Sequence, residues 1–264
     1  MNALFRQLLR KPPRSAYTVP PGERVYAIGD IHGRLDLFEA LIAAVDADDA
    51  ASEPAKTTVV LLGDLIDRGS DSAGVLAAAR AWQERRTVRI LIGNHEEMFL
   101  ECFTNAELMR HFLRFGGQET VLSYPVDRAA FTRADVAEAQ ALMREAVPES
   151  DLAFIRGFED QIVIGDYLFV HAGIRPGVPL EEQETRDLRW IRGAFTDSRT
   201  DHGLLVVHGH TICEAPDVRA NRIGIDTGAY YSGRLTALRL EGGTRRLIAT
   251  SEQDGGVAVE TSPC

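Results

Sequence analysis

The chain has 264 residues and a formal net charge of −10, with a pI near 5.2. Nucleic-acid and anionic-membrane surfaces draw on clustered Lys and Arg, so this balance speaks against both partners. No stretch is apolar over the roughly 20 residues that a membrane helix needs, so no stable membrane insertion is expected. The three cysteines, Cys102, Cys213 and Cys264, lack metal-ligand spacing and read as reduced thiols, mainly small buried hydrophobes, which places the chain in the reducing cytoplasm. An α/β enzyme of this length often forms one domain, and one domain with a helical insertion is expected.

Residues 1–20 read as a basic N-terminal tail (Arg6, Arg10, Lys11, Arg14) without the continuous apolar segment of a signal peptide, followed by the main domain over 21–250. Three apolar, β-branched runs, Arg24–Ile28, Thr58–Leu62 and Val88–Ile92, show no alternation, which suits strands buried on both faces of a sheet. Between them, Leu35, Phe38, Leu41, Ile42 and Val45 fall at helical spacing, and Ser72–Arg86 predicts a second helix capped by Ser70 or Ser72. A long stretch without strand signals follows, with helix formers in Asn105–Phe115 and Asp127–Ala146, and predicts a helical cap at about 104–147. Pro148–Phe158 predicts one more helix, and Gln161–Ile164 a hairpin with Tyr167–Val170 through Gly165-Asp166. Leu204–Val207 reads as a further strand. Arg222–Ile225, Arg234–Leu240 and Arg245–Thr250 alternate like exposed-edge antiparallel strands, and 251–264 is expected to be a flexible tail.

Each of the first three strands ends in a glycine-bounded polar signature: Gly29-Asp30-Ile31-His32-Gly33, Gly63-Asp64-Leu65-Ile66-Asp67-Arg68-Gly69 and Gly93-Asn94-His95-Glu96. In open α/β sheets ligands sit outside the carboxyl ends of the strands, so these ends would converge Asp30, His32, Asp64, Asn94 and His95 on one crevice. Carboxylate, imidazole and amide oxygen together form a metal-ligand inventory, and the mix suits Mn, Fe or Zn better than Ca. A lone loop histidine is usually just solvated, but a cluster at three strand ends reverses that reading.

These signatures, with Val170-His171-Ala172-Gly173 and Val207-His208-Gly209-His210-Thr211 downstream, resemble the five blocks of the calcineurin-like metallophosphoesterases, and the Asp-Arg-Gly ending resembles the PPP serine/threonine phosphatase branch. The resemblance implies a four-layered β-sandwich flanked by helices and two divalent ions per chain, Mn first and Fe or Zn as alternatives. It implies Asp30 and His32 on one ion, Asp64 bridging, and Asn94, His171 and His210 on the other, with in-line attack by a hydroxide held between them. By the same resemblance His95 is the leaving-group acid, Asp67 its orienting carboxylate, and Arg68 the phosphate grip. Arg192 is preferred over Arg189 as a second grip. His208 reads as packing or as support for a ligand, and Asp226-Thr227-Gly228-Ala229 as a loop found beside bacterial sites of this type or a plain β-turn. Where many metallophosphoesterases carry Gly-His-x-His, this chain has Ile212, which weakens nuclease and phosphodiesterase readings.

The expected activity is hydrolysis of phosphomonoesters, first phosphoserine and phosphothreonine in proteins, with phosphotyrosine also considered. A symmetrical dinucleoside tetraphosphate hydrolase shares every block, and Arg110, Phe112, Arg114, Phe115 and Tyr124 in the cap keep it in view. A non-catalytic metal-binding scaffold would be missing ligands, and none is missing.

Overall fold

The apolar runs without alternation are strands covered on both faces, and the computed structural model, which describes residues 17–264, shows what covers them. β1 (Glu23–Ile28), β2 (Lys56–Leu61) and β3 (Val88–Ile90) pair in parallel and are joined by α1 (Leu35–Ala50) and α2 (Ser72–Arg85). Tyr26, Ile28, Val59 and Leu61 share a core with Leu37, Phe38, Leu41 and Trp82 of these helices. Val25, Ala27 and Val60 on the opposite face share another with Tyr167, Phe169, Leu205 and Val207 of a second sheet. Polar residues therefore have no place at either set of positions.

After β3 come α3 (Asn94–Cys102), the insertion helices α4 (Ala106–Phe112), α5 (Gln118–Leu122), α6 (Arg128–Arg133) and α7 (Val136–Ala146), and then α8 (Glu149–Arg156). The insertion is not a separate unit, because Met109, Phe112, Val121, Phe131 and Met143 join the core around Phe99 and Trp82. Next follow β4 (Gln161–Ile164), β5 (Tyr167–Val170), α9 (Thr185–Trp190), α10 (Gly193–Thr196), β6 (Leu205–His208), β7 (Asp217–Val218) and β8 (Arg222–Gly224). The chain closes with α11 (Ala229–Ser232), β9 (Arg234–Glu241), β10 (Thr244–Gln253) and β11 (Gly256–Pro263). The sheets run β11-β10-β9-β1-β2-β3 and β4-β5-β6-β8-β7. Leu188, Ile191 and Phe195 cover the outer face of the second sheet, completing helix, sheet, sheet and helix layers as expected. Among the described residues no helix is long and apolar enough to cross a membrane.

Several expectations need correction. The Arg234–Leu240 run is a central strand, with Leu235 and Ala237 against the helices and Leu238 and Leu240 between the sheets, so its alternation separates two buried faces. β8 lies inside the second sheet, antiparallel to β7 as expected but parallel to β6 on its other side. Most of the expected flexible tail 251–264 is strand: Gln253 pairs with Gly256 across Asp254-Gly255, and Gly255 takes φ 93°. Asp-Gly between two extended runs is a strong hairpin signal, and β11 covers the edge that β10 would otherwise expose. α2 is capped by Asp71, which accepts from Gly74 N at 2.8 Å, because Ser72 is turned inward to accept from Asp67 N. The end of the expected N-terminal tail is anchored, with Val19 buried and its N–H donated to Gly242 O at 3.1 Å. The reading of Met1–Ser15 lies outside the described residues.

Candidate metal centre

The strand ends do converge. Asp30 and His32 follow β1, Asp64, Asp67 and Arg68 follow β2, Asn94 and His95 open α3, His171 follows β5 and His210 follows β6. Among the described residues, every non-glycine with positive φ belongs to this set: His32 (47°), Asp64 (50°), Asp67 (74°), Arg68 (69°) and His210 (62°). Backbone held in the left-handed region costs energy and collects where side chains must be aimed at a site. Gly63, itself at φ 96°, is needed for room as well, since a Cβ there would lie 2.8 Å from Gly93 N and 2.9 Å from His171 Nδ1.

Asp64 is the centre of the cluster. Its Oδ2 lies 3.4 Å from His171 Nε2, 3.6 Å from His32 Nε2 and 4.0 Å from His95 Nε2. Asn94 Oδ1 lies 3.1 Å from His171 Nε2, and both oxygens of Asp30 accept the His210 N–H, at 3.0 and 3.1 Å. The backbone orients two rings: His32 Nδ1 donates to Ile66 O and His171 Nδ1 to Leu62 O, each at 2.8 Å, which turns Nε2 toward Asp64, to give that carboxylate a proton or a cation a lone pair. His210 Nε2 is buried with no hydrogen-bond partner. Buried lone pairs in a ring around carboxylates are what divalent cations need, and two sets, His32-Asp64-His95 and Asp64-His171-His210, bring their ligand atoms within 4.8 Å.

The electrostatics agree. Burial works to raise Asp64, but His171, His95 and His32 outweigh it and hold the carboxyl well below its usual range. Burial drives His210 down to about 2, which keeps the ring neutral and able to donate its lone pair. Asp30 is pushed well above its usual value by burial and by the carboxylates of Asp226 and Asp64, a repulsion that bound cations would relieve.

His95 is buried beside Asp64, with Nδ1 2.6 Å from Asp67 Oδ2 and Nε2 2.9 Å from Arg68 Nη2. The other arm of Arg68 reaches His32 Nε2 at 2.9 Å, and its guanidinium lies 4.6 Å from the Tyr230 ring centroid. Asp64, Arg68, Asn94, Arg192, His210, Thr211, Ile212 and Tyr230 line a crevice of about 360 Å³. Arg189 does not reach it, being held by Glu97 and Asp160 at 2.7 Å each. His208 is buried behind the centre, edge-on to Phe195 at 5.2 Å, with Nδ1 3.0 Å from Gly209 O, and burial lowers it to about 4.

Four further residues belong to this site. Glu96 carboxylate oxygens accept from Asp64 N (2.9 Å), Leu65 N (2.7 Å), Ile66 N (3.4 Å) and Gly93 N (2.9 Å), clamping the second signature to the third; burial and Asp64 push it up to about 7. Its place in the third signature was the available signal. Asp226, buried and accepting from Gly228 N at 2.9 Å, is raised to about 6 by burial and Asp64, so its loop is part of the centre's surroundings. Tyr230 and Thr120 carried no signal in the sequence.

A sandwich of two mixed sheets with a buried Asp, His and Asn cluster at its strand ends defines a metallohydrolase scaffold. Residues 23–233 match the family model for calcineurin-like phosphoesterase, and the chain belongs to that family. The family implies a dinuclear divalent metal centre, which the clustered His and Asp groups fit. The chain is 30% identical to serine/threonine-protein phosphatase 1 of Salmonella typhimurium, covering 82% of this chain and 92% of the relative. It is 26% identical to the symmetrical bis(5'-nucleosyl)-tetraphosphatase of Chromohalobacter salexigens, covering 83% and 95%. Its fold is similar to that of a solved candidate diadenosine tetraphosphatase, with a TM-score of 0.63 at 22% identity over 91% of this chain and all of the other.

Proposed function

We propose that this chain is a phosphomonoesterase whose substrates are phosphoserine and phosphothreonine residues of proteins, with Mn as the resident ion. The His95–Asp67 pair and the Arg68 fork beside the Asp64 cluster support phosphoryl hydrolysis, and the 30% identity to serine/threonine-protein phosphatase 1 of Salmonella typhimurium is the observation that favours phosphoprotein as the substrate. Asp30, His32 and Asp64 would hold one ion, and Asp64, Asn94, His171 and His210 the other. When bound, two such ions neutralise phosphate charge and acidify an attacking water. The chain's own residues do the rest. Arg68, forked between two imidazoles, exchanges those partners for phosphate oxygens, and Arg192 closes on the phosphate from the far side of the crevice. Asp67 holds Nδ1–H of His95, which leaves Nε2 to carry a proton to the departing alkoxide. Burial works to lower His95, and the Asp67 hydrogen bond on Nδ1 works to raise it and holds the ring in one orientation.

A second reading rests on the cap. Arg110, His111 and Arg114, with Glu107 beside them, line a groove of about 430 Å³, and His111 lies tilted at 43° to the exposed Phe115, 4.4 Å between ring centroids. A cationic groove with an aromatic platform suits a nucleoside polyphosphate, the substrate class named for the Chromohalobacter relative. Comparing kcat/KM for phosphoserine peptides and diadenosine tetraphosphate decides between them: preference for peptides by tenfold or more is expected, and the reverse preference establishes the nucleotide reading.

A further inference from the structure

The insertion enters the catalytic loop through one hydroxyl. Thr120, on α5, is fully buried, with Oγ1 2.5 Å from Asp67 Oδ1, 2.9 Å from Asp67 N and 2.9 Å from Ser72 Oγ. A threonine hydroxyl has one proton to give, and a carboxylate only accepts. The proton therefore goes to Asp67 Oδ1, while Asp67 N–H and Ser72 O–H donate to Thr120 Oγ1. The Asp67 N–H is shared with Ser72 Oγ at 3.0 Å, and Asp67 Oδ2 accepts from His95 Nδ1. One side chain thus grips both the amide and the carboxylate of a residue held at φ 74°.

The segment that carries Thr120 is itself tied to the second signature. Gly116 O accepts from Arg68 N at 2.9 Å, Ser123 Oγ accepts from Ala73 N at 3.0 Å, and the same Oγ donates to Thr120 O at 2.7 Å. A Cβ on Gly116 would lie 2.8 Å from Arg68 N, so the approach is as close as glycine permits. Val121 and Phe112 anchor the other side of the segment in the core with Phe99. Residues 116–123 cannot shift without carrying Asp67 and Arg68 with them.

We propose that Thr120 is a positioning residue: through Asp67 it sets the direction in which the His95 imidazole faces the leaving group, and it makes the insertion part of the catalytic geometry. The inference rests on the reading of His95 as proton donor. Without the hydroxyl, Asp67 Oδ1 loses its donor, the carboxylate turns, and the imidazole hydrogen-bonded to Oδ2 turns with it. Arg68 keeps its own tie to the segment, through Gly116 O, so removing the Thr120 hydroxyl leaves the phosphate grip in place.

Thr120→Val keeps the shape and removes the hydroxyl, and Thr120→Ser keeps the hydroxyl. Thr120→Val should lose on the order of 10–10² in kcat on a phosphoserine peptide, a fraction of what a positioned acid supplies, with KM and metal content unchanged. It should lose only about threefold or less on p-nitrophenyl phosphate, whose leaving group hardly needs a proton. Thr120→Ser should restore activity on both substrates. If the valine variant does not fold, Thr120→Ala makes the same comparison. Equal losses on both substrates, loss of metal, or full activity of Thr120→Val would overturn the proposal. His95→Asn run alongside separates the two ideas. If it shows leaving-group dependence and Thr120→Val does not, only the Thr120 inference fails; if neither does, the acid assignment has failed and takes this one with it.

Discussion

Replacing His95 by Asn tests the chemistry most directly. The imidazole is 1% exposed, and its Nδ1 is committed to Asp67 at 2.6 Å. An asparagine amide reaches the same carboxylate oxygen, so the buried Asp67 keeps a donor and the stability loss should stay near the 0.5–1.5 kcal/mol of one ordinary hydrogen bond, roughly. What disappears is Nε2, 4.0 Å from Asp64 Oδ2, the atom proposed to carry the proton. A positioned general acid contributes on the order of 10²–10⁴ in rate, equivalent to about 2.7–5.5 kcal/mol of barrier at 1.36 kcal/mol per decade. The full loss should appear in kcat on a phosphoserine peptide, whose alkoxide leaves poorly, and about tenfold or less on p-nitrophenyl phosphate. Elemental analysis should find two metals per chain, as in the wild type. The structure makes the alternative concrete, because His95 Nε2 shares a 4.8 Å cluster with His32 and Asp64 and could itself bind an ion. Loss of one metal, or equal losses on both substrates, would move His95 among the ligands and refute the acid role.

Exhaustive chelation should abolish p-nitrophenyl phosphate turnover and added Mn should restore it; full activity in protein shown by elemental analysis to be metal-free excludes the dinuclear reading. Asp64→Asn should lose metal and activity together, and retention of both ions would show that the bridge lies elsewhere. Glu96→Ala strips acceptors from four buried backbone N–H groups, and at about 1–3 kcal/mol for each unsatisfied group, less than additively, should cost roughly 3–5 kcal/mol and lower Tm by on the order of 10 °C; a thermal scan showing under 2 °C, roughly the effect of an ordinary surface change, contradicts the clamp. For Asp49, burial pushes the carboxyl up, but Thr57, Arg24 and Arg86 outweigh it and hold it below its usual value, as the Arg24 hydrogen bond does for Glu241. The folded state then binds these protons more weakly than the unfolded one, so their stabilisation is present above pH about 4–4.5 and is lost as pH falls through the folded values. Asp49→Asn should lower Tm at pH 7 and flatten its fall below that pH; an unchanged acid slope removes this cluster from the account.

The three parallel strands and the polar signatures that end them were legible because each is a local pattern. An apolar run without alternation meets a glycine-bounded Asp, His or Asn, and strand topology alone brings the ends together. Of the two arginines in the 188–192 run, Arg192 lines the crevice, and only the fold shows where Arg189 goes: Glu97 and Asp160, distant in sequence, hold it. Asp254-Gly255 carried a hairpin signal that composition at the terminus obscured.

By itself the sequence determined the family, since Asp30, His32, Asp64, Asn94, His95, His171 and His210 stand in short local signatures that need no tertiary contact to be read. Tertiary structure decided what depends on long-range contact. Whether β9 is an edge or a centre depends on β10 and the second sheet covering it, and no alternation within the strand distinguishes two buried faces from one buried and one wet. Glu96 is one carboxylate among many until four backbone N–H groups from two loops close around it. Thr120 sits 53 residues from Asp67, on a short helix of an insertion that composition describes only as helical. A hydrogen bond across that distance leaves no periodicity in the chain, because its partners are brought together by the packing of Phe112 and Val121 into a core that the whole fold creates.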